Sequence, residues 1–314
     1  MKLLWKMSET DKGSRGFVLV NALLLVAAMA AAATLLLSRA EGGRVRLVSM
    51  QEADALTHAM NAFEAMARTL LDRDQGEGPV DSAHDIWAGT TLDVPLARGR
   101  VSGVITDQQA LFNINWLSDP DDTLAHEGWP VLLHRIGIAP QKGDAIRRFV
   151  SPGGPENSTA FSRLDPPVAP LGGGVVLMDQ LAALAELTPE DMGVLRQYAS
   201  ALPANSRVNV NTAGLAVLTA MIPQLSKAQL NTLVQRRDKD PFASIDDVFE
   251  EFGLSVDPAT PDAINPQRFS VGSNWFGANI TVTLDARQAN RRVLFRREGA
   301  PIGTQVEWRL SRFK

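Results

Sequence analysis

Arg15 and Gly16 stand directly before a run of 21 residues, Phe17 to Leu37, interrupted by two polar residues, Asn21 and Thr34. A small residue at such a junction lets a peptidase reach the bond between Gly16 and Phe17. Cleavage there frees an amine on Phe17 and leaves the whole apolar run attached. Asn21, the fifth residue counted from Phe17, is an uncharged side chain that can donate and accept hydrogen bonds within the apolar run. Two plainer readings compete. A leader cut behind the run would want a small-x-small ending, and Ser38-Arg39-Ala40 is a poor one after a run this long. An intact signal anchor fits better, since at about 1.5 Å per residue the run gives roughly 31 Å of helix, enough to cross a hydrocarbon core. Arg39, Arg44 and Arg46 nearly balance the leading basic residues, so charge orients the segment weakly.

Little else in the chain points to bond-making chemistry. His58, His84, His126 and His134 are scattered, with no pair at metal-ligand spacing. There is no Gly-x-Ser-x-Gly elbow and no Walker loop, and Gly172-Gly173-Gly174 follows a proline tract as a flexible loop would. The sequence therefore predicts no enzyme and no cofactor. Two acidic stretches, "DRDQGEG" from Asp72 and "DPDD" from Asp119 to Asp122, have the oxygen chemistry that calcium favours. Both lack a full loop spacing and read as solvated acidic loops.

Composition narrows the field further. Of 314 residues 45% are hydrophobic and 21% charged, ample for a sizeable core. There is no cysteine, which removes disulfides and thiolate-bound zinc. Residues 1–16 hold Lys2, Lys6, Lys12 and Arg15 against Glu9 and Asp11, so the rest of a chain of net charge -4 carries -6. An acidic body suits phosphate backbones poorly, because their binding rests on Lys and Arg releasing counterions.

The elements that must hold these groups follow from periodicity. Val45, Val48, Leu56, Met60, Phe63, Ala67 and Leu70 recur at steps of mostly three and four, predicting one stem helix from Phe17 to about Leu71 that is greasy all round at first and one-faced later. Gly42-Gly43 could loosen it, and the turn-rich Asp72 to Pro79 should end it. Val101, Val104 and Ile105 read as an early strand. Ile280, Val282 and Leu284, then Val293 to Phe295, then Val306, Trp308 and Leu310 read as at least three late strands. Between them Trp116 to about Pro266 is mostly helical, with Pro/Gly-rich breaks at Ser151–Pro155 and Pro166–Gly174. The fold class is α+β: a stem helix on an antiparallel sheet, with a helical domain between early and late strands.

Asn209 to Gly253 also looks like the helix-hairpin-helix elements of DNA-binding proteins, with Asn-x-Asn-Thr-Ala, a later Arg and a Phe-x-Ser-x-x-Asp tail. A phosphate-binding hairpin needs glycines whose bare N–H groups approach the phosphate. Here the hairpin reads "IPQLSKAQ", and Asp238, Asp240, Asp246, Asp247, Glu250 and Glu251 surround it. The alternative function, a membrane-anchored nucleic-acid-binding protein, rests on this element. An echo, "NINWL" before "LHRIGIAPQKGDAIRRFV" with Gly137 and Gly143, suggests two related modules.

The Gly16-Phe17 junction resembles the class III signal of type IV pilins and type II secretion pseudopilins. "ITDQQALFNINWL", "RVNVNTAGLAVLTAM" and "DAINPQRFSVGSNWF" extend the resemblance, over nearly the whole mature chain, to the minor pseudopilin K family of the type II (general) secretion pathway. The resemblance implies a type IV pilin-like fold divided into a prepilin-type leader 1–16 and a stem 17–71, transmembrane over 17–37. A first part of the sheet at 72–115, an inserted helical domain at 116–266 and C-terminal strands at 267–314 complete it. It implies cleavage after Gly16 and N-methylation of Phe17. Pilins usually carry Glu where Asn21 stands, and its lack suits a pseudopilus tip with no subunit above. Implied partners are the I- and J-type minor pseudopilins, the major pseudopilin, the prepilin peptidase and secreted substrates, with the chain spanning the inner membrane once and its folded part in the periplasm. The family's Asp-Trp-x-Asp-x-Asp segment, suited to calcium, is replaced by "RRFVSPGGPENSTAFSRLDPP", so calcium binding is not carried over.

Overall fold

The computed structural model describes residues 12–89, 91–151, 173–260 and 263–313. Residues 1–11, within the expected leader, and the 152–172 segment, with most of the stretch standing in for the family's acidic motif, lie outside them. The chain divides into two compact units, Met1–His58 and Ala59–Lys314. A single helix, α1 (Lys12–Glu77), runs through both. Its Ala-, Leu- and Met-rich sequence favours helix, and it continues unbroken through Gly42 and Gly43. In the first unit it is long and apolar enough to cross a membrane, an 18-residue stretch reaching a mean hydropathy of 2.3. Phe17, Leu24, Met29 and Leu37 are all exposed there, an apolar surface that only lipid or other apolar helices would cover.

In the second unit Met60, Phe63, Ala67 and Leu71 form a buried stripe at helical spacing. It faces a five-stranded antiparallel sheet in the order β1 (Leu92–Leu96), β2 (Gly99–Asp107), β7 (Trp275–Leu284), β8 (Arg287–Arg297), β9 (Thr304–Phe313). Alternation puts Val101, Ile105, Ala278, Ile280, Val282, Ala289 and Val293 in the buried layer. Gly103 lies in the same layer: a Cβ there would fall 2.6 Å from the Phe63 ring and 2.7 Å from the Asn279 carbonyl oxygen. Its missing side chain sets how closely helix and sheet approach.

The helical insertion leaves at the end of β2 and returns at the start of β7, where Asp107 pairs with Phe276. Its two ends are therefore neighbours in one sheet, and the entropic cost of closing so long an excursion grows only slowly with its length. The insertion starts at Gln108, ahead of the expected boundary at 116. Phe112–Asn113 is a strand, β3, as its residue types suggest, but it pairs in parallel with β4 (Ala199–Ser200) inside the insertion. A second parallel pair joins β5 (Val208–Asn209) to β6 (Phe269–Ser270). Helices α2 (Thr123–Ile136), α3 (Pro140–Val150) and α4 (Pro189–Tyr198) fill the first loop so closed. The second holds α5 (Leu215–Met221), α6 (Lys227–Arg237) and α7 (Ile245–Glu251). The two modules share one core that includes Trp116, Trp129, Leu132, Leu218, Leu233, Phe242 and Phe269.

The stem also outlasts the pattern that predicts it. Its apolar spacing stops at Leu71, yet the helix continues to Glu77 because Asp72 and Asp74 find partners in the sheet. Asp72 accepts the Thr304 N–H at 2.6 Å. The "DRDQGE" residues are thus helical, and Asp74 is buried instead of solvated.

Gly103→Ala is expected to lower unfolding free energy by about 2 kcal/mol through overpacking against a backbone oxygen. Gly193→Ala, in α4 with open space at its Cβ, should be neutral or stabilising by up to about 1 kcal/mol. Thermal denaturation of both variants checks the contrast.

Candidate functional site

Three parts of the chain converge on the guanidinium of Arg297, at the end of β8. It donates to Asp74 of the stem at 2.9 Å, to Asp81 in the segment after the stem, and to the Ser273 carbonyl at 2.8 Å where the insertion returns. Trp87 Nε1 donates to Asp74 at 3.0 Å, and Ser273 N–H to Asp81 at 2.7 Å. The guanidinium lies 4.6 Å above the Phe276 ring, which packs edge-on against Trp87. Next to it Asp107, the last residue of β2, accepts from Ser273 Oγ (2.6 Å), Thr212 Oγ1 (2.5 Å), Asn209 Nδ2 (3.1 Å) and Gln109 N–H (2.7 Å). Burial raises the carboxyls of Asp74, Asp81 and Asp107 above the ordinary carboxylate value of 3.8, against the pull of these donors. Asp85, raised by burial too, completes the group.

Oxygens of Asp74, Asp81 and Asp85 lie within 4.8 Å of one another, a donor set that a hard cation could use. Arg297 already sits on two of them, so the chain supplies its own counter-charge. The "DPDD" stretch is likewise engaged: Asp122 caps α2 through the Ala125 N–H at 3.1 Å and pairs with Arg268, while Asp119 takes the Asp121 N–H at 3.0 Å. The sequence read both acidic stretches as solvated loops. Asp72 to Glu77 is instead a helix end, whereas Asp119 to Asp122 is a turn, exposed from Asp119 to Asp121, whose last residue caps α2.

The two Asn-x-Asn motifs do the same work in the two modules. Asn113 Oδ1 accepts the Asn115 N–H at 3.1 Å, and Asn209 Oδ1 the Asn211 N–H at 3.0 Å, each closing an Asx turn as the chain leaves its short strand. The second asparagine then acts as a surrogate strand partner. Asn115 takes the Val175 N–H (2.7 Å) and donates to the Val175 and Leu202 carbonyls (2.8 and 2.7 Å). Asn211 takes the Phe242 N–H (3.0 Å) and donates to the Phe242 carbonyl (3.0 Å). The echo between modules is a repeat of this bonding scheme. Asn209 also donates to the Asp81 carbonyl at 3.1 Å, tying the second module to the Arg297 cluster.

The hairpin between α5 and α6 is not built for phosphate. Ser226 and Gln229 close a reciprocal capping box on the first turn of α6, which engages the N–H groups of these two residues. Arg237, the "later Arg", is buried and donates inward to the carbonyls of Val210 and Ala213. Asp247 caps α7 with Ser244, and Asp240 and Glu251 pair with Arg236. The helix-hairpin-helix likeness lies in packing. The DNA-binding reading finds no support in this geometry or in the relatives described below.

Gly16, Phe17 and Asn21 lie on α1, with the Phe17 and Asn21 side chains exposed and far along the chain from the cluster. Sequence reasoning singled out these three but missed Arg297. It sits in the Arg-Arg of "LFRREG", where nothing local distinguishes it from Arg296. Asp107 was legible as the first member of the Asp-x-x-x-x-hydrophobic-Asn-x-Asn stretch.

Residues 208–271 match the family model described as type II secretion system (T2SS), protein K. This is the second module from β5 to β6. The chain is 24% identical over 315 residues to type II secretion system protein K of Pectobacterium carotovorum subsp. carotovorum, covering 92% of this chain and 94% of that one. With the protein of the same name from Klebsiella pneumoniae it shares 27% over 315 residues and the same coverage. Among solved structures it matches a chain of the GspK-GspI-GspJ complex from the enterotoxigenic Escherichia coli type 2 secretion system, with a TM-score of 0.69 at 18% identity. That alignment covers 85% of this chain and 99% of that one. The resemblance to the pseudopilin K family drawn from the sequence holds, and so does the pilin-like α+β fold with a helical insertion.

Arg297→Met leaves two buried carboxyls without their cation and is expected to cost about 3 to 5 kcal/mol in denaturant unfolding. The raised carboxyls of the cluster stabilise the fold most when protonated and lose that contribution as pH rises through their folded values. Asp179 and Asp191 oppose them. Burial works against the charge of Asp179, but Arg292 and Arg196 hold its carboxyl low, and Lys142 draws Asp191 down to about 2. The melting temperature should therefore rise as pH falls through the raised folded values of the cluster, and fall again in stronger acid as Asp191 protonates. A melting temperature that only falls on acidification would contradict the cluster's assignment.

Proposed function

We propose that this chain is a minor pseudopilin of type II secretion, placed at the tip of the pseudopilus and starting or capping its assembly for export of folded proteins. The observation that carries the reading is agreement with K proteins along nearly the entire chain, stem included. Physical features support the finer points. The apolar first half of α1 suits storage in the inner membrane, single-pass with the folded part in the periplasm, and later packing among neighbouring stems. The insertion leaves the sheet beside the C-terminal end of α1, where Arg297 and Asp81 join the two. In a filament whose stems run lengthwise, a domain there blocks the next subunit. Asn21 fits the same position, because it offers no carboxylate for the amine of a subunit above.

On this reading the protein is a non-enzymatic assembly component. The GspK of the solved complex is bound to GspI and GspJ, and by analogy the I- and J-type minor pseudopilins are the partners here. The major pseudopilin, the prepilin peptidase and secreted substrates complete the set.

The mature protein isolated from secreting cells should begin with methylated Phe17, and mass spectrometry of its N-terminal peptide decides this. An intact Met1 in cells with active peptidase would refute processing. Gly16→Leu should block cleavage and abolish secretion. Asn21→Leu should retain more than half of secretion, since the position needs no charge; loss equal to that of Gly16→Leu would sink the tip argument.

A further inference from the structure

The sheet face opposite the stem carries Asn290, Arg292 and Leu294 of β8 beside Arg312, Leu310 and Trp308 of β9, each pair in register. The insertion segment Val176–Asp179 and Arg196 of α4 stand over this face and leave a cleft of about 480 Å³ floored by Gly277, Leu294 and Trp308. The cleft continues into a hollow of about 290 Å³ lined by Arg196, Arg292, Leu310 and Arg312. Both parts share Asp179, Arg196 and Arg292, so they form one groove with an apolar end and a basic end.

The chemistry at each end is incomplete in a definite way. At the apolar end Trp308 Nε1 is shielded from solvent and has no hydrogen-bond acceptor, although a shielded donor ordinarily finds one. At the basic end Asp179 pairs with both Arg196 and Arg292, one carboxylate for two guanidiniums. Arg312 beside them is exposed, with no carboxylate partner among the described residues. β8 and β9 together hold seven arginines and one glutamate in a chain of net charge -4. Other arginines of these strands are spent internally: Arg291 and Arg309 on Glu64, and Arg297 on Asp74 and Asp81. The surplus positive charge therefore gathers in this groove.

We propose that the groove docks an extended acidic segment of a partner protein. An apolar side chain lies over Leu294 and Trp308, a main-chain carbonyl takes the Trp308 N–H, and a following carboxylate reaches Arg292 and Arg312. Charge complementarity selects this occupant, because guanidiniums in a partly dry groove bind carboxylates in paired hydrogen bonds. A free anion would leave the apolar end and the indole donor unmet. The volume is in the range, about 300 to 1,000 Å³, of sites that enclose most of a small ligand.

The test uses the full chain in detergent and fluorescence anisotropy of labelled peptides, Leu-Val-Leu-Glu-Asp-Glu and its reversed sequence, with Leu-Val-Leu-Gln-Asn-Gln as the neutral counterpart. Saturable binding of an acidic peptide is expected, about tenfold weaker for the neutral one and weakening with salt. Arg312→Glu, which breaks no ion pair among the described residues, should weaken it about tenfold. Trp308→Phe, which keeps a ring and removes the N–H, should weaken it by about threefold to tenfold, with circular dichroism and melting temperature unchanged in both. No saturable binding of either acidic peptide, or binding indifferent to both substitutions, overturns the proposal. Displacement by millimolar inorganic phosphate together with indifference to Trp308→Phe would mean an anion site alone, and overturns it too.

Discussion

Arg297 is the one side chain on which stem, sheet and insertion all depend. A buried guanidinium is costly unless it is paired, and here both terminal nitrogens find acceptors, from the stem (Asp74), the segment after it (Asp81) and the returning insertion (Ser273), while Nε finds none. None of the three could supply the set alone. The stem therefore ends where it does, and the insertion re-enters beside it, because only that arrangement satisfies the charge. Four carboxyls, of Asp74, Asp81, Asp85 and Asp107, gather near a single cation. Burial is the main cause of their raised proton affinity, and neighbouring carboxylates add to it at Asp74, Asp81 and Asp85.

Around this node the insertion is assembled by repetition. Each module begins with a two-residue strand, turns on an asparagine, and uses a second asparagine to hold a distant main-chain stretch as a strand partner would. A side-chain amide offers the same donor and acceptor as a peptide group, so one buried asparagine can replace a strand. This explains why a domain of mostly short helices keeps a fixed shape: its long connections are pinned by paired hydrogen bonds and covered by a shared apolar core. The same skeleton elsewhere presents glycine N–H groups to phosphate. Here Ser226 and Gln229 cap the helix at the surface, and Arg237 is turned inward.

The two faces of the sheet divide the labour. One is apolar and takes the stem, with Gly103 cut away to admit Phe63. The other, roofed in part by the insertion, carries the unbalanced arginines and the unmet indole donor. In an assembly protein, holding the molecule together and meeting other molecules thus fall to opposite sides of the same five strands.

The sequence by itself determined the elements whose signals are local. Oily length set the span from Phe17 to Leu37, three- and four-residue spacing set the helix through Met60, Phe63 and Ala67, and alternation set the strands around Ile280 and Val306. It also placed Gly16, Phe17 and Asn21, whose meaning lies in distance along the chain. The tertiary structure alone decided the rest. Asp72 and Asp74 read as loop residues but prolong the stem, because Thr304 and Arg297 reach them from more than two hundred residues away. Phe112 and Asn113 read as part of the sheet but pair with Ala199 and Ser200 instead. Arg297 could not be told from Arg296 until strand register turned one inward and the other out. Periodicity reports which way a side chain leans from its own backbone, whereas the partner of a buried charge is fixed by closure of the whole chain.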